Sequence, residues 1–311
     1  MQDILEKHQV RKTNAQKSAF IDYLKNRLHK SGYSDEDIKI EEKGIGVLKT
    51  RNIVVGNPEE AKVIVGAHYD TPPVSPFPNL MAPTCVPIFI LSQLFLTAMV
   101  FLMSWVCTIP FSLMPISGES YIYIWEVFLF MILFWLMFGY QNKHCANDNT
   151  SGTITLVKIL ESLPKEDRNK VCVVFFDNEE KGLWGSLKFT KDHKSTKEKF
   201  MINLDCVGDG THIVSCANKK VRKMEEYEKL TQVLLDNSEK YGLIYIKEKM
   251  RFMMFGSDQM NFDNGMAICA LNKHKLGFLY CDKIHTNRDR ICQENNLKHL
   301  ANSITKYIAE M

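Results

Sequence analysis

From Thr71 to Gly118 the chain contains no Asp, Glu, Lys or Arg. Segments that run over a protein surface are normally polar, so so long an uncharged stretch excludes an ordinary loop. Other absences narrow the function. The 39 basic residues are scattered against 36 acidic ones, and a net charge of +3 leaves no basic patch, so no nucleic-acid partner is expected. The nine cysteines include no CxxC pair. Several sit in apolar runs (Cys172, Cys206, Cys269), where a reduced thiol behaves as a small hydrophobe, and a reducing compartment is expected. The opening segment "MQDILEKHQVRKTNAQK" is charged throughout and has no apolar core, so it reads as neither signal nor transit peptide. The globular part is expected in the cytosol.

What is present has the average of an ordinary globular protein, 45% hydrophobic and 24% charged, but an uneven distribution. The apolar excess lies between Pro83 and Tyr140; without it roughly 250 residues remain, enough for one α/β domain. In that remainder Phe20, Leu24 and Leu28 recur at helical spacing between Lys12 and Lys30, which predicts an amphipathic surface helix without evident chemistry. "IGVLKTRNIVVG" and "AKVIVGAHYD" predict strands, "SGTITLVKILESL" a helix, "KVCVVFFDNEE" and "KFMINLDCVGDG" two more strands. Met224 to Tyr241 predicts a helix, "GMAICALN" a strand and "ENNLKHLANSITKYIAEM" a closing helix. Strands alternating with helices imply an α/β fold, a three-layer sandwich around a mostly parallel or mixed sheet.

In such sheets ligands bind beyond the carboxyl ends of the strands. Three predicted strands end in candidate metal ligands, in "VIVGAHYD", "VVFFDNEE" and "MINLDCVGD". A two-metal site needs about six nitrogen and oxygen ligands, one carboxylate being shared between ions about 3.5 to 4 Å apart. The chain offers His68, Asp70, Asp148, Glu179, Glu180, Asp205 and His285. Taken singly, an HxD is common and adjacent glutamates usually form a solvated face. As an ordered series, "GAHYDT", "ANDNTSG", "FFDNEEKGLWGS", "NLDCVG", "GSDQMNF" and "IHTNRD" resemble the di-zinc exopeptidase family of bacterial leucyl aminopeptidases, glutamate carboxypeptidase and glutaminyl cyclase, metallopeptidase clan MH.

The resemblance implies two Zn2+ ions. His68 and Asp205 would hold one, Glu180 and His285 the other, Asp148 would bridge them, and Glu179 would be the general base. Asp70, on the same side of an extended strand as His68, is a candidate to accept the other imidazole N–H. Asp258 in "GSDQMNF" matches a phrase found near the family's substrate pocket, a loop-structuring role being equally open. Cys145 reads as a packed thiol, and His144, His193, His212, His274 and His299 match no motif of the family. Glutaminyl cyclases of the family work with a single zinc; both ligand sets here favour hydrolysis over cyclisation. The activity so implied is aminopeptidase action on peptides with a free N-terminus. The alternatives are carboxypeptidase or amidohydrolase action, or a non-catalytic membrane scaffold on the same fold.

The family joins its HxD and NDN phrases by a short loop. Here the uncharged block intervenes, and the expected division is a catalytic domain of residues 1–78 and 144–311 interrupted by a hydrophobic hairpin over 79–143. Cys85 to Ile109 would reach about 37 Å as a helix, beyond a hydrocarbon core of about 30 Å. Tyr121 to Tyr140 carries one acid, Glu126, and has Tyr and Trp near its ends like interfacial anchors. "PISGES" would be the turn. The hairpin is therefore expected to enter a lipid bilayer as two spans of the cell membrane, with oligomerisation through it also open. Lysines flank its root and Glu119 marks its turn, which by the positive-inside rule puts the catalytic domain in the cytoplasm.

Overall fold

The computed structural model describes residues 2–46, 49–115, 117–248 and 255–311. Its centre is three parallel strands of alternating apolar side chains, β3 (Val63–His68), β4 (Val171–Phe176) and β5 (Phe200–Leu204). On β3 and β4, Val63, Val65, Ala67, Val171, Val173 and Phe175 point into one core, while Ile64, Cys172, Val174 and Phe176 point into another. That period of two means both sheet faces must be covered. Helices α2 (Asn14–Lys30), α5 (Gly152–Ser162), α7 (Glu225–Ser238) and α8 (Glu294–Ala309) contribute to the first core; α6 (Trp184–Asp192) places Phe189 in the second. The result is the expected three-layer sandwich.

Around the three strands the nine-stranded sheet is mixed. On one side β4 pairs antiparallel with β2 (Thr50–Val55), which pairs with the edge strand β1 (Ile38–Lys43). On the other, β5 pairs parallel with β8 (Asn264–Lys273), which carries β6 (His212–Ala217) and, through it, β7 (Ile244–Lys247); β9 (Leu279–Tyr280) extends β8. Of the predicted strand "IGVLKTRNIVVG", Thr50 to Val55 forms β2, and Val47 and Leu48 lie outside the described residues. Gly66 on β3 is required by packing, because a Cβ there would fall 2.4 Å from the Phe176 ring.

A short helix α1 (Gln2–Lys7) precedes α2, whose N-terminus is closed by a reciprocal capping box between Thr13 and Gln16. The uncharged block forms α3 (Val86–Thr108), continued by a 3-10 turn to Leu113, and α4 (Gly118–Phe138). At 1.5 Å per residue these helices run about 35 and about 32 Å. They lie against each other through Phe101 and Trp125, and through the Thr108 hydroxyl, which donates to the Tyr121 hydroxyl at 2.7 Å. They are not a pair buried within the protein: only 6% of the most apolar window of each is buried. By length and composition both can cross a membrane.

The two ends of the block meet. Pro73 bridges Gln141, Val74 donates its N–H to the Tyr140 carbonyl at 2.8 Å, and Asn142 donates to the Pro72 carbonyl at 3.2 Å.

Candidate metal centre

The ends of β3, β4 and β5 deliver His68, the Glu179–Glu180 turn and Asp205 to one edge of the sheet, as the apolar runs anticipate. Asp148 arrives from the turn that opens α5, and His285 from the loop before α8. His68 Nε2 stands 3.4 Å from Asp148 Oδ1 and 3.5 Å from Asp205 Oδ1. His285 Nε2 stands 3.0 Å from Asp148 Oδ2 and 3.6 Å from Glu180 Oε2. Each oxygen of Asp148 thus faces a different imidazole. Two clusters of potential ligands share it, His68–Asp148–Asp205 and Asp148–Glu180–His285, and Glu179 groups with His68 and Glu180.

Hydrogen bonds from side chain to backbone hold these pieces together. The Asp70 carboxylate accepts the N–H groups of Glu179 at 3.0 Å and Glu180 at 3.3 Å, fixing the β4 turn to the end of β3. Sequence reasoning expects that carboxylate on the His68 ring. His68 Nδ1 donates to the Asp70 backbone carbonyl at 3.2 Å, with the nearer oxygen of the Asp70 carboxylate 3.6 Å from the same nitrogen. Asn149 donates to the Leu204 carbonyl at 2.8 Å and accepts from the Gly152 and Cys206 N–H groups, placing Asp148 beside Asp205. A Cβ on Gly152 would fall 2.5 Å from the Leu204 carbonyl, so only glycine allows that approach.

Three residues of this scaffold escape the sequence reading. Asp289 accepts the N–H groups of Asn147 at 2.7 Å and Asp148 at 2.9 Å, joining the bridging turn to the loop of His285; its only signal is its place at the end of "IHTNRD". Arg11, fully buried, donates to the Tyr69 and His8 carbonyls and, at 3.1 Å, to the Thr150 hydroxyl. Lys17 on α2 pairs with buried Asp177 and reaches Asn178 Oδ1 at 2.9 Å, just before Glu179. Asn178, Cys206 and His285 adopt left-handed backbone conformations, with φ of 55°, 54° and 59°. Strained backbone of this kind gathers where a surrounding structure over-determines a site.

Electrostatics follow from crowding carboxylates around two imidazoles. Desolvation, the largest influence on each imidazole, works against its charge. Glu179, Asp148 and Asp205 outweigh it at His68, whose pKa lies well above the usual value, and Glu180 with Asp148 pushes His285 to about 10. Desolvation also opposes ionisation of Asp148, yet the two histidines hold it below the usual carboxylate range. Glu180 is pushed up to about 8 and Glu179 well above its ordinary value, in both cases chiefly by burial. Burial likewise takes Asp258, fully buried behind the site, to about 7.

The donor set fits divalent metal. Nitrogen and carboxylate oxygen are the ligands zinc takes, and among the described residues lining the cavity of about 350 Å³ there is no Lys or Arg to balance the acids. Glu180 Oε1 and Asp205 Oδ1, the latter 3.5 Å from His68 Nε2, are buried without a hydrogen-bond partner, a costly condition for a carboxylate oxygen. A larger apolar concavity of about 1000 Å³ runs along α4 beside Phe130, Phe134 and Phe138, away from these groups. The remaining candidates lie elsewhere: Cys145 packs as a buried thiol, His193 pairs with Glu41 and Glu59, and His299 donates to the Leu234 carbonyl. No disulfide forms among the described residues.

Comparison with known proteins places this geometry. The solved structure of Porphyromonas gingivalis glutaminyl cyclase is similar with a TM-score of 0.58 at 17% identity, over 99% of this chain and 94% of that one. A Zn-dependent exopeptidase of Parabacteroides distasonis is similar with a TM-score of 0.57 at 14% identity, over 98% and 93%. An aminopeptidase of Legionella pneumophila follows with 0.53 at 12% identity, over 99% and 68%. At such identities the likeness is one of fold. No curated protein matches the sequence. The family model described as Peptidase family M28 matches residues 136–308, more than half of the chain and four of the five clustered ligand candidates, and the protein belongs to that family.

Proposed function

We propose that the protein is a membrane-anchored di-zinc aminopeptidase that removes N-terminal residues from peptides with a free amino group. The observation that carries this reading is the division of Asp148, one oxygen toward His68 and Asp205, the other toward His285 and Glu180. That is the arrangement a bridging carboxylate needs. His68 and Asp205 would hold one zinc, Glu180 and His285 the second. A bound pair of zinc ions supplies acidification of water and polarisation of the scissile carbonyl.

The chain's own groups do the rest. Glu179, adjacent to a ligand and within reach of His68, takes a proton from the attacking water and returns it to the leaving amine nitrogen. Burial raises its pKa well above the ordinary carboxylate value, which makes it a stronger proton acceptor than an exposed glutamate. Asp70 positions Glu179 and Glu180 through their backbone N–H groups. The bilayer is the second partner: α3 and α4 expose Leu94, Phe95, Phe130 and Phe134, each by half or more. Lys12 and Lys181 line a recess at the root of α4 with Phe138 and Tyr140, while Glu119 lies at the far turn, which favours a cytoplasmic catalytic side.

Metal analysis and turnover of aminoacyl anilides test the reading. Wild type should carry zinc and turn over; Glu179→Gln should keep its zinc and lose about a hundred- to ten-thousandfold in kcat. N-acetylation of a test peptide should abolish cleavage. Equal cleavage of acetylated and free peptides would instead identify an amidohydrolase, and a metal-free, inactive wild type would leave a scaffold.

A further inference from the structure

The cavity that holds the ligand cluster has two walls of opposite chemistry. Facing the carboxylates and imidazoles are Met81, Phe255 and Ile284 from the sandwich, and Leu96 and Leu136 from α3 and α4. The helix pair is therefore part of the site. Leu96 stands mid-helix on α3 and Leu136 in the last turn of α4, and both pack against a small apolar cluster of Phe77, Val100 and Ile132 that closes the seam between the helices. On the same stretch of α3, Ile90, Leu91, Leu94 and Phe95 are 50 to 64% exposed. Apolar surface thus continues from inside the cavity to the outside of the helix, with no charged side chain on α3 to interrupt it.

We infer that α3 and α4 form the specificity wall of the enzyme: Leu96 and Leu136 make an apolar subsite for a large aliphatic or aromatic side chain on the substrate's N-terminal residue. This rests on the aminopeptidase reading and goes beyond it by naming the substrate class and the residues that select it. The cavity of about 350 Å³ is at the small end for ligand sites, so it admits one such side chain together with the scissile amide rather than a long segment. A small or charged side chain would leave Leu96 and Leu136 uncovered or lose its own hydration against them. Because the helices also carry the lipid-compatible surface, apolar substrates partitioned into a bilayer meet the cavity from the side that this wall forms.

The test uses the full chain, zinc-loaded in detergent. Leucine, phenylalanine and alanine anilides are compared for wild type, Leu96→Ala, Leu136→Ala and, as a control on the outer face of α4, Phe130→Ala. Pocket contacts of a few methylenes are worth tens-fold in discrimination, so the Leu/Ala ratio of kcat/KM should fall at least tenfold in each pocket variant. Phe130→Ala should keep the wild-type ratio and the wild-type rate on alanine anilide, and Leu96→Ala and Leu136→Ala should bind zinc as wild type does, which reports that the site still folds. A second readout does not depend on turnover: leucinamide carrying a diazirine in its side chain is photolysed in place, and its adducts are mapped by peptide mass. Adducts on the α3 and α4 peptides bearing Leu96 and Leu136, suppressed by excess leucinamide, support the wall. Adducts confined to the sandwich, or a Leu/Ala ratio unchanged in both variants, overturn it while leaving the aminopeptidase reading intact. Helix adducts without any anilide turnover uphold the apolar subsite and overturn the aminopeptidase reading instead.

Discussion

Arg11 shows how much of this site depends on a residue that is neither ligand nor base. Its guanidinium is fully buried and joins the carbonyl that follows His68 in sequence, at Tyr69, to Thr150 in the turn that carries Asp148. Burial draws its pKa down to about 10, so the group stays charged at neutral pH and its donors are strong. Nothing in "HQVRKT" marks it, because Tyr69 and Thr150, which it joins, are distant in sequence. Replacement by Met keeps the stem and strands those acceptors at about 1 to 3 kcal/mol for each buried unpaired group. Arg11→Met should therefore lose about 2 to 4 kcal/mol of unfolding free energy in urea and about ten- to a hundredfold in zinc affinity by chelator competition, the usual effect of a supporting residue. Arg11→Lys, with one charged donor group in place of a fork, should fall between. A Met variant with wild-type zinc affinity would confine Arg11 to stability.

At the scale of elements, the three strands that lead to the cluster are legible because each is an apolar run, interrupted by a polar residue only at Asn203 in β5, that gives way to polar residues at its carboxyl end, the pattern of a strand buried on both faces. The helix of α5 and the amphipathic α8 are legible by period. The strand β6, "HIVSCA", is not, since His212 and Ser215 break the apolar run although all six residues are buried. The edge strand β1 hides behind its charges, as edge strands do. In the site, the residues that cluster are legible from the order of the motifs, whereas Asp289, Asn149 and Arg11 act through backbone groups of other segments, which no local pattern records. One packing contact between elements also carries a pH dependence. His299 on α8 donates through Nε2 to the Leu234 carbonyl on α7 at 2.8 Å, and burial lowers its pKa below the ordinary 6.5. The unfolded chain then takes up the proton first as pH falls, so stability is full above about 6.5 and declines below it. His299→Gln retains a donor without a titrating group. Wild type should lose more urea stability than this variant between pH 7 and pH 5; parallel losses would show that His299 is not the group responsible.

For the whole molecule, the question is how a sandwich tolerates a long apolar excursion between two parts of one metal cluster. The answer lies at the root, where residues 72–74 pair with residues 140–142. The chain leaves and returns at one point, so β3 and α5 sit as a short loop would leave them, and the entropy of closing a longer loop grows only slowly with its length. Every residue of the two ligand clusters lies outside α3 and α4. Replacing residues 76–138 by four Gly/Ser residues should accordingly give a chain that stays in the aqueous phase without detergent, whereas the full chain should sediment with membranes and resist alkaline extraction. The truncated chain will be less stable in absolute terms, because it loses the paired hydrogen bonds between Met81 and Cys281. Its response to zinc is the informative quantity. A ligand that binds only the folded state stabilises by RT ln(1 + [L]/Kd), about 4 kcal/mol at a thousandfold excess over Kd, and that increment depends on the site alone. Adding zinc to metal-free protein should raise the free energy of unfolding by the same amount, within about 1 kcal/mol, in both chains. If only the full chain responds, the helices hold the ligand geometry together and are not an appendage to it; if both respond equally while only the full chain prefers leucine over alanine anilide, metal binding and substrate selection belong to separate parts of the molecule.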